Sequence, residues 1–369
     1  MMKSYLLGID IGTSACKVAV FDRNGKVLAA ASGDYPVYYP HEGWAEQNPE
    51  EWWDAVCRAT KETIQKADIT ADEIAGIGID GQSWSAIPID REGNVLANTP
   101  IWMDTRAQSI CDRLNQEIGQ EEIFEVAGNS LQPSYSTAKI LWYKENLPEV
   151  YAKIHKILQS NSYIAFKLTG AITQDVSQGY GLHCFNMKKG CWDEKMCERL
   201  GIPMEFLPEI CDCDHVVGTV TGKAAAECGL VEGTPVVAGG LDAACGTLGA
   251  GVIHSGETQE QGGQAGGMSI CTEEYKADPR LILSYHVVPG KWLLQGGTTG
   301  GGGVMRWFER EFADYERMMK EQTGVSSLDQ LNKIAEKVAP GCDGMVFLPY
   351  MSGERSPIWN PYAKGVFYG

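Results

Sequence analysis

The sequence predicts an α/β protein with mixed sheets in two domains, on three observations. Residues 5 to 22 hold two short apolar runs around the turn Gly12, Thr13 and Ser14, the pattern of a β-hairpin. Helical segments then alternate with buried strands, and the strand at residues 74–80 runs into GQSWS at residues 81–85. Ligands of open α/β sheets bind beyond such strand ends. At 369 residues with 44% apolar content, the chain is long enough for two cores of ordinary size.

The opening hairpin carries chemistry at its tip. Gly8 and Gly12 let the backbone approach an anion, Thr13 and Ser14 offer hydroxyls, and Lys17 offers a positive charge. Asp10 would repel phosphate unless a divalent cation sat between them, so it predicts Mg²⁺. The plainer alternative is a tight hairpin whose Asp and Thr satisfy turn amides.

Gly25 and Lys26 mark a second turn, and residues 27–32 a third strand, so the sheet begins as an antiparallel meander. Residues 38–49 form an aromatic and polar loop. Asn48 and Pro49, followed by Glu50 and Glu51, open a helix that runs to about Lys66. After the strand at 74–80, residues 85–90 read as another. They lead into WMDTR at residues 102–106, where Trp102 offers a face and Asp104 and Arg106 offer directional acceptors and donors. That set suits a polyhydroxylated substrate, or equally an Asp–Arg salt bridge beside a core Trp. Residues 107–168 are mostly helical scaffold, residues 170–186 alternate like paired strands, and residues 191–207 return to helix.

GGLD at residues 239–242 ends a buried strand and opens a small-residue helix. Asp242 at that mouth could take a proton from a hydroxyl attacking phosphorus, or serve as a plain helix N-cap. Residues 257–271 repeat the opening plan of strand, glycine turn and strand. Residues 292–307 are strand, glycine run and helix start, where amides could meet phosphate or glycines simply permit close packing. Residues 347–357 form a strand and a charged turn, and 365–369 start another strand.

Thirty-one basic against 48 acidic residues leave a net charge of −17, which argues against nucleic acid or an anionic membrane as the main partner. A phosphate site must then be local, made of amides and a metal. No apolar leader follows Met1 to Ser4, and no stretch approaches about eighteen uninterrupted apolar residues, so a cytoplasmic protein is expected. The 12 cysteines are scattered and expected as reduced thiols. CDCDH at residues 211–215 could hold a soft metal but lacks a second ligand pair at zinc spacing, and reads as a surface loop.

Taken together, GIDIGTS at residues 8–14, WMDTR at 102–106, GGLD at 239–242, YMSGERSP at 350–357 and GVFYG at 365–369 resemble the FGGY carbohydrate kinases, in the xylulokinase branch. The resemblance implies two ribonuclease-H-like domains of the actin and hexokinase type, the second incomplete, divided as residues 1–249 and 250–369. Sugar would lie against the first and ATP between them. Asp10 would bind Mg²⁺ and Thr13 the γ-phosphate with Lys17 nearby, and Gly12 and Ser14 would belong to the same nucleotide- and phosphate-binding turn. Gln82, Ser83, Trp84, Asp104 and Arg106 would face the sugar, and Asp242 would be the general base. The turn Gly262, Gly263, Gln264 would be the second phosphate loop, with Gly302 and Arg306 beside the nucleotide.

Three departures from the family pattern stand out. Gly263 and Gln264 replace the hydroxyl residues of the second loop, and Ser83 and Trp84 stand where xylulokinases carry Met and His. The chain also stops where family members continue, leaving sheet to be covered, for which a homodimer is one arrangement. The expected activity is ATP-dependent phosphorylation of a primary hydroxyl of a pentulose or related polyol. The alternatives are a catalytically weak sugar- or nucleotide-binding protein, and an actin-like or chaperone-like ATPase.

Overall fold

Strands β1 (Tyr5–Ile11) and β2 (Ala15–Phe21) form the expected hairpin in a computed structural model that describes residues 4–263, 265–351, 353–360 and 362–369. Alternation does the work: Leu7, Ile9 and Ile11 are buried on one face of β1, and Asp10 stands opposite Lys17 on β2. β3 (Val27–Asp34) continues the antiparallel meander. After the two-residue β4 (Glu46–Gln47), helix α1 (Pro49–Ala67) starts where the Asn48 side chain accepts the Glu50 amide, with Pro49 in its first turn. Its Trp52, Ala55, Val56, Ala59 and Thr63 recur at helical spacing and are buried. Each large apolar side chain so buried contributes about 1.5–3 kcal/mol.

β5 (Ile74–Gly81) lies parallel to β1, with Asp80 directly across from Asp10. The full sheet runs Val216–Thr219, Pro235–Val237, β5, β1, β2, β3, and Gly240–Leu241 also pairs with β5. The turn before Gly240 demands glycine. Gly239 has φ 71°, and a Cβ there would enter the Ile79 carbonyl.

Residues 170–186 depart from the expected paired strands. Thr173–Asp175 pairs in parallel with Glu209–Cys211, and Phe185–Asn186 pairs with Cys191–Trp192 instead. Between them the Asp175 carboxylate accepts the Gln178 amide and starts the helical turn Val176–Gly179, a local cap that outcompetes a strand ladder. In the same way Asp193 caps Glu194–Leu200, so the helix expected over 191–207 is confined to that shorter span.

Two compact units result. The first runs to Ser255 and adds Cys271–Pro279 and Leu283–Leu293; the second comprises Gly256–Ile270, Arg280–Ile282 and Leu294–Gly369. Thr258–Gly262 and Gly266–Thr272 form the second hairpin, in a sheet ordered Thr258–Gly262, Gly266–Thr272, Trp292–Thr298, Ile282–Tyr285. Helices Gly302–Phe312, Asp314–Thr323 and Ser327–Ala335 follow, then Val346–Leu348 paired with Val366–Tyr368. Among the described residues no helix is long and apolar enough to cross a membrane.

Candidate active site

The parallel register of β1 and β5 decides the site. It sets Asp10 beside Asp80, and the pairing of Gly240 with Asp80 brings Asp242, first residue of helix Asp242–Gly249, to the same sheet end. Lys17 Nζ donates to Asp10 Oδ2 at 2.8 Å, and this hydrogen bond holds the Lys17 ammonium above its ordinary pKa. Burial, with the charges of Asp10 and Asp242 and a hydrogen bond to Asp10, pushes Asp80 up to about 9. Burial also raises Asp242 to about 7, against the opposing pull of the Ala243 amide, which donates to it at 2.6 Å; the Asp10 charge adds to the rise and Lys17 offsets part of it. Asp242 is half-buried as a residue, and it is the burial of its carboxyl that dominates the rise. Three acids and one lysine thus share one sheet end, where burial and mutual repulsion raise the carboxyls of Asp80 and Asp242.

The hairpin tip is tied to the neighbouring loops. Trp102 Nε1 donates to Thr13 Oγ1 at 2.9 Å, Thr13 Oγ1 reaches Gln82 Oε1 at 3.5 Å, and Gln82 Nε2 donates to Gln47 Oε1 at 2.8 Å. Gln47 closes the ring by donating to the Thr13 carbonyl at 2.8 Å. Ser14 is exposed, whereas the Gly12 amide is already committed to the Ala15 carbonyl at 3.2 Å.

Ser83 is partly exposed and Trp84 is buried, with φ 61° and its ring stacked on Tyr135 at 4.1 Å. A left-handed backbone at such a residue costs about 1–3 kcal/mol and needs support. Lys139 supplies it. Its Nζ donates to the carbonyls of Trp84 and Ile101 at 2.8 Å and of Ser134 at 2.6 Å, and burial lowers its pKa to about 7.

Asp104 and Arg106, expected to face a sugar, hold each other. Asp104 has no exposed surface and accepts from the Ala45 amide at 2.7 Å, the Arg106 amide at 3.0 Å and Arg106 Nε at 2.9 Å. Arg106 donates onward to Glu46 at 2.7 Å and lies over the Trp44 ring at 3.8 Å. Gln82, only 1% exposed, is likewise committed to protein partners. All three stand behind the loop surface.

In the second unit Gly262 and Gly263 are exposed and Arg306 is exposed on helix Gly302–Phe312, while Gln264 lies outside the described residues. The Gly302 amide donates to the Gly263 carbonyl at 2.7 Å, and a Cβ at Gly301 would collide with Ala265. Close backbone packing is thus one reason for the glycine run. At residues 211–215, Cys213 is buried beside Asp175, and among the described residues no group of three or more His, Cys, Asp or Glu could hold a metal ion.

Asp80 and Lys139 were not singled out from the sequence. A signal for Asp80 existed in the repeated Gly-Ile-Asp of residues 8–10 and 78–80, which parallel pairing aligns. Lys139 sits among apolar neighbours in helix Ser136–Asn146.

Comparison with known proteins shows the family and the fold. The N-terminal domain of the FGGY family of carbohydrate kinases matches residues 5–249, and its C-terminal domain matches residues 266–369. A xylulose kinase of Bacillus subtilis (strain 168) is 32% identical over 99% of this chain and 71% of its own length. A gluconokinase of the same organism is 32% identical over 100% of this chain and 72% of its own. Among solved structures, xylulose kinase from Rhodospirillum rubrum superposes with TM-score 0.87 at 29% identity, covering 99% of this chain and 72% of that one. Gluconate kinase from Lactobacillus acidophilus gives 0.88 at 29%, with the same coverage. The β1–β2 hairpin, the β5 rim and the helix of Asp242 all fall within the matched N-terminal domain, and the chain belongs to the FGGY family of carbohydrate kinases.

Proposed function

We propose that the protein transfers the γ-phosphoryl group of ATP to a primary hydroxyl of a pentulose of the xylulose kind, with Asp242 as general base. The observation that carries this is Asp242 itself, partly exposed, raised to about 7, and within electrostatic reach of Asp10 and Lys17. A carboxylate so raised is a stronger base than an ordinary one and remains substantially ionised near neutral pH. It accepts the hydroxyl proton as the oxygen attacks phosphorus. Lys17, Thr13 and Ser14 attend the phosphate oxygens, and most of the rate comes from aligning the hydroxyl and neutralising charge.

The residues fit Mg²⁺. Asp10, a hard oxygen donor with a partly exposed side chain, would hold the cation, with waters and substrate phosphates as its other ligands. When bound, Mg²⁺ supplies charge neutralisation to the phosphates. Partly exposed Ser83 would face the sugar, with buried Trp84, Gln82, Asp104 and Arg106 stiffening that wall from behind.

The test is ADP release from MgATP with D-xylulose, D-gluconate and glycerol in parallel. Xylulose-dependent ADP is expected, and Asp242→Asn should lower kcat roughly a hundredfold or more while the thermal shift given by sugar persists. Turnover only with gluconate moves the substrate to sugar acids. Thermal shifts without any turnover indicate a binding protein, and ADP release without sugar indicates an ATPase.

A further inference from the structure

Asp175 ends the strand Thr173–Asp175 with 1% of its surface exposed, and burial raises its carboxyl above the ordinary range. A carboxyl so buried persists only when its lone pairs are filled. Oδ1 accepts from Ser177 Oγ at 2.6 Å and from the Gln178 amide at 2.9 Å. Oδ2 accepts from Asn161 Nδ2 at 2.9 Å and from Gln174 Nε2 at 3.3 Å.

Two of these donors reach on to the segment that carries Asp242. Ser177 Oγ accepts the Leu241 amide at 2.9 Å, one residue before the base, and Asn161 Nδ2 donates to the Ala238 carbonyl at 3.1 Å. The Gly239 and Gly240 turn is therefore gripped at both ends. There is little slack, because a Cβ at Gly240 would stand 2.7 Å from Ser177 Oγ. Gln178 Nε2 ties the same hub to the Gly81 carbonyl at 3.0 Å, where β5 ends. One buried carboxyl thus organises the two backbone segments that bear Asp80 and Asp242.

We propose that Asp175 is a positioning residue for phosphoryl transfer, fixing the turn from Ala238 to Leu241 through Ser177 and Asn161 and so aiming the Asp242 carboxylate. It rests on the reading of Asp242 as general base. A base swung out of line loses transition-state contact while the sugar wall at Ser83 is untouched. The loss therefore falls on kcat and spares KM.

The experiment compares the wild-type full chain with Ser177→Ala and Asp175→Asn by two readouts. Amide exchange followed by mass spectrometry over residues 238–248 should quicken by about tenfold in both variants, with α1 unchanged. Steady-state kinetics with MgATP and D-xylulose or D-gluconate should show kcat lowered roughly ten- to hundredfold and sugar KM moved by less than about threefold. Exchange at the wild-type rate in Ser177→Ala overturns the proposal, as does faster exchange with undiminished kcat. Should Asp175→Asn fail to fold, Ser177→Ala decides alone. If the wild type turns over neither sugar, the general-base reading fails, and the exchange readout still upholds or refutes the grip on the turn.

Discussion

Lys139 is the side chain whose removal would reach furthest from its own position. Its three N–H donors are filled by three carbonyls, an arrangement only the ammonium can satisfy, yet burial draws its pKa to about 7. The folded value lies below the unfolded one of about 10.4, so between these limits the unfolded chain binds the extra proton and stability rises with pH. Lys139→Met removes the titration and takes a donor from the Trp84 and Ser134 carbonyls, while the Ile101 carbonyl keeps the Asp104 amide at 3.0 Å. Thermal unfolding at about pH 7, 8 and 9 should show the variant less stable throughout, with the gap to wild type widening as pH rises. A constant gap would mean that the carbonyls keep the amine charged. Residues like this explain what the sequence could not disclose. Asp10 and Lys17 stand out in the sequence as charges flanking a glycine turn, and the structure pairs them at 2.8 Å. Lys139, amid apolar neighbours on a helix, differs from a surface lysine only in what packs over it. For Asp104 and Arg106 the sequence left a sugar contact and an Asp–Arg salt bridge equally open, and the structure shows the salt bridge, with Asp104 fully buried.

The elements that proved legible are those whose signals are local. The Asn48 cap, Pro49 and the helical spacing from Trp52 to Thr63 specify α1 within their own span, and alternation specifies β1 and β2. The region after Gly170 failed for the converse reason. Its strands find partners at Glu209–Cys211 and Cys191–Trp192, and a side-chain cap at Asp175 interrupts the alternation. The turn at Gly239 belongs to the same scale, since its left-handed φ and its contact with the Ile79 carbonyl join two elements. Gly239→Ala combines a strained dihedral with a clash against backbone that cannot yield. It should destabilise by about 2 kcal/mol or more and lower the melting temperature by several degrees. An alanine variant that melts with wild type would show the turn free to leave β5.

At the scale of the whole chain, the relevant quantity is the net charge of −17. Such a field opposes the approach of any polyanion, MgATP included, while the lysine at the hairpin tip attracts it only at short range. Salt separates the two contributions. Raising ionic strength from about 0.01 to 0.1 M shortens the screening length from about 30 to about 10 Å, which removes the long-range repulsion and leaves contacts of a few ångströms largely intact. The kcat/KM for MgATP should accordingly rise over that interval, with the kcat/KM for an uncharged sugar nearly unchanged. A charge-reducing change far from the site, such as Glu232→Gln at an exposed turn, should move MgATP kinetics slightly in the same direction at low salt and not at high salt. A fall in kcat/KM for MgATP with added salt would mean that Lys17 and its neighbours outweigh the remaining acidic surface even at a distance. The nucleotide would then be steered in by a local field that net charge does not reveal.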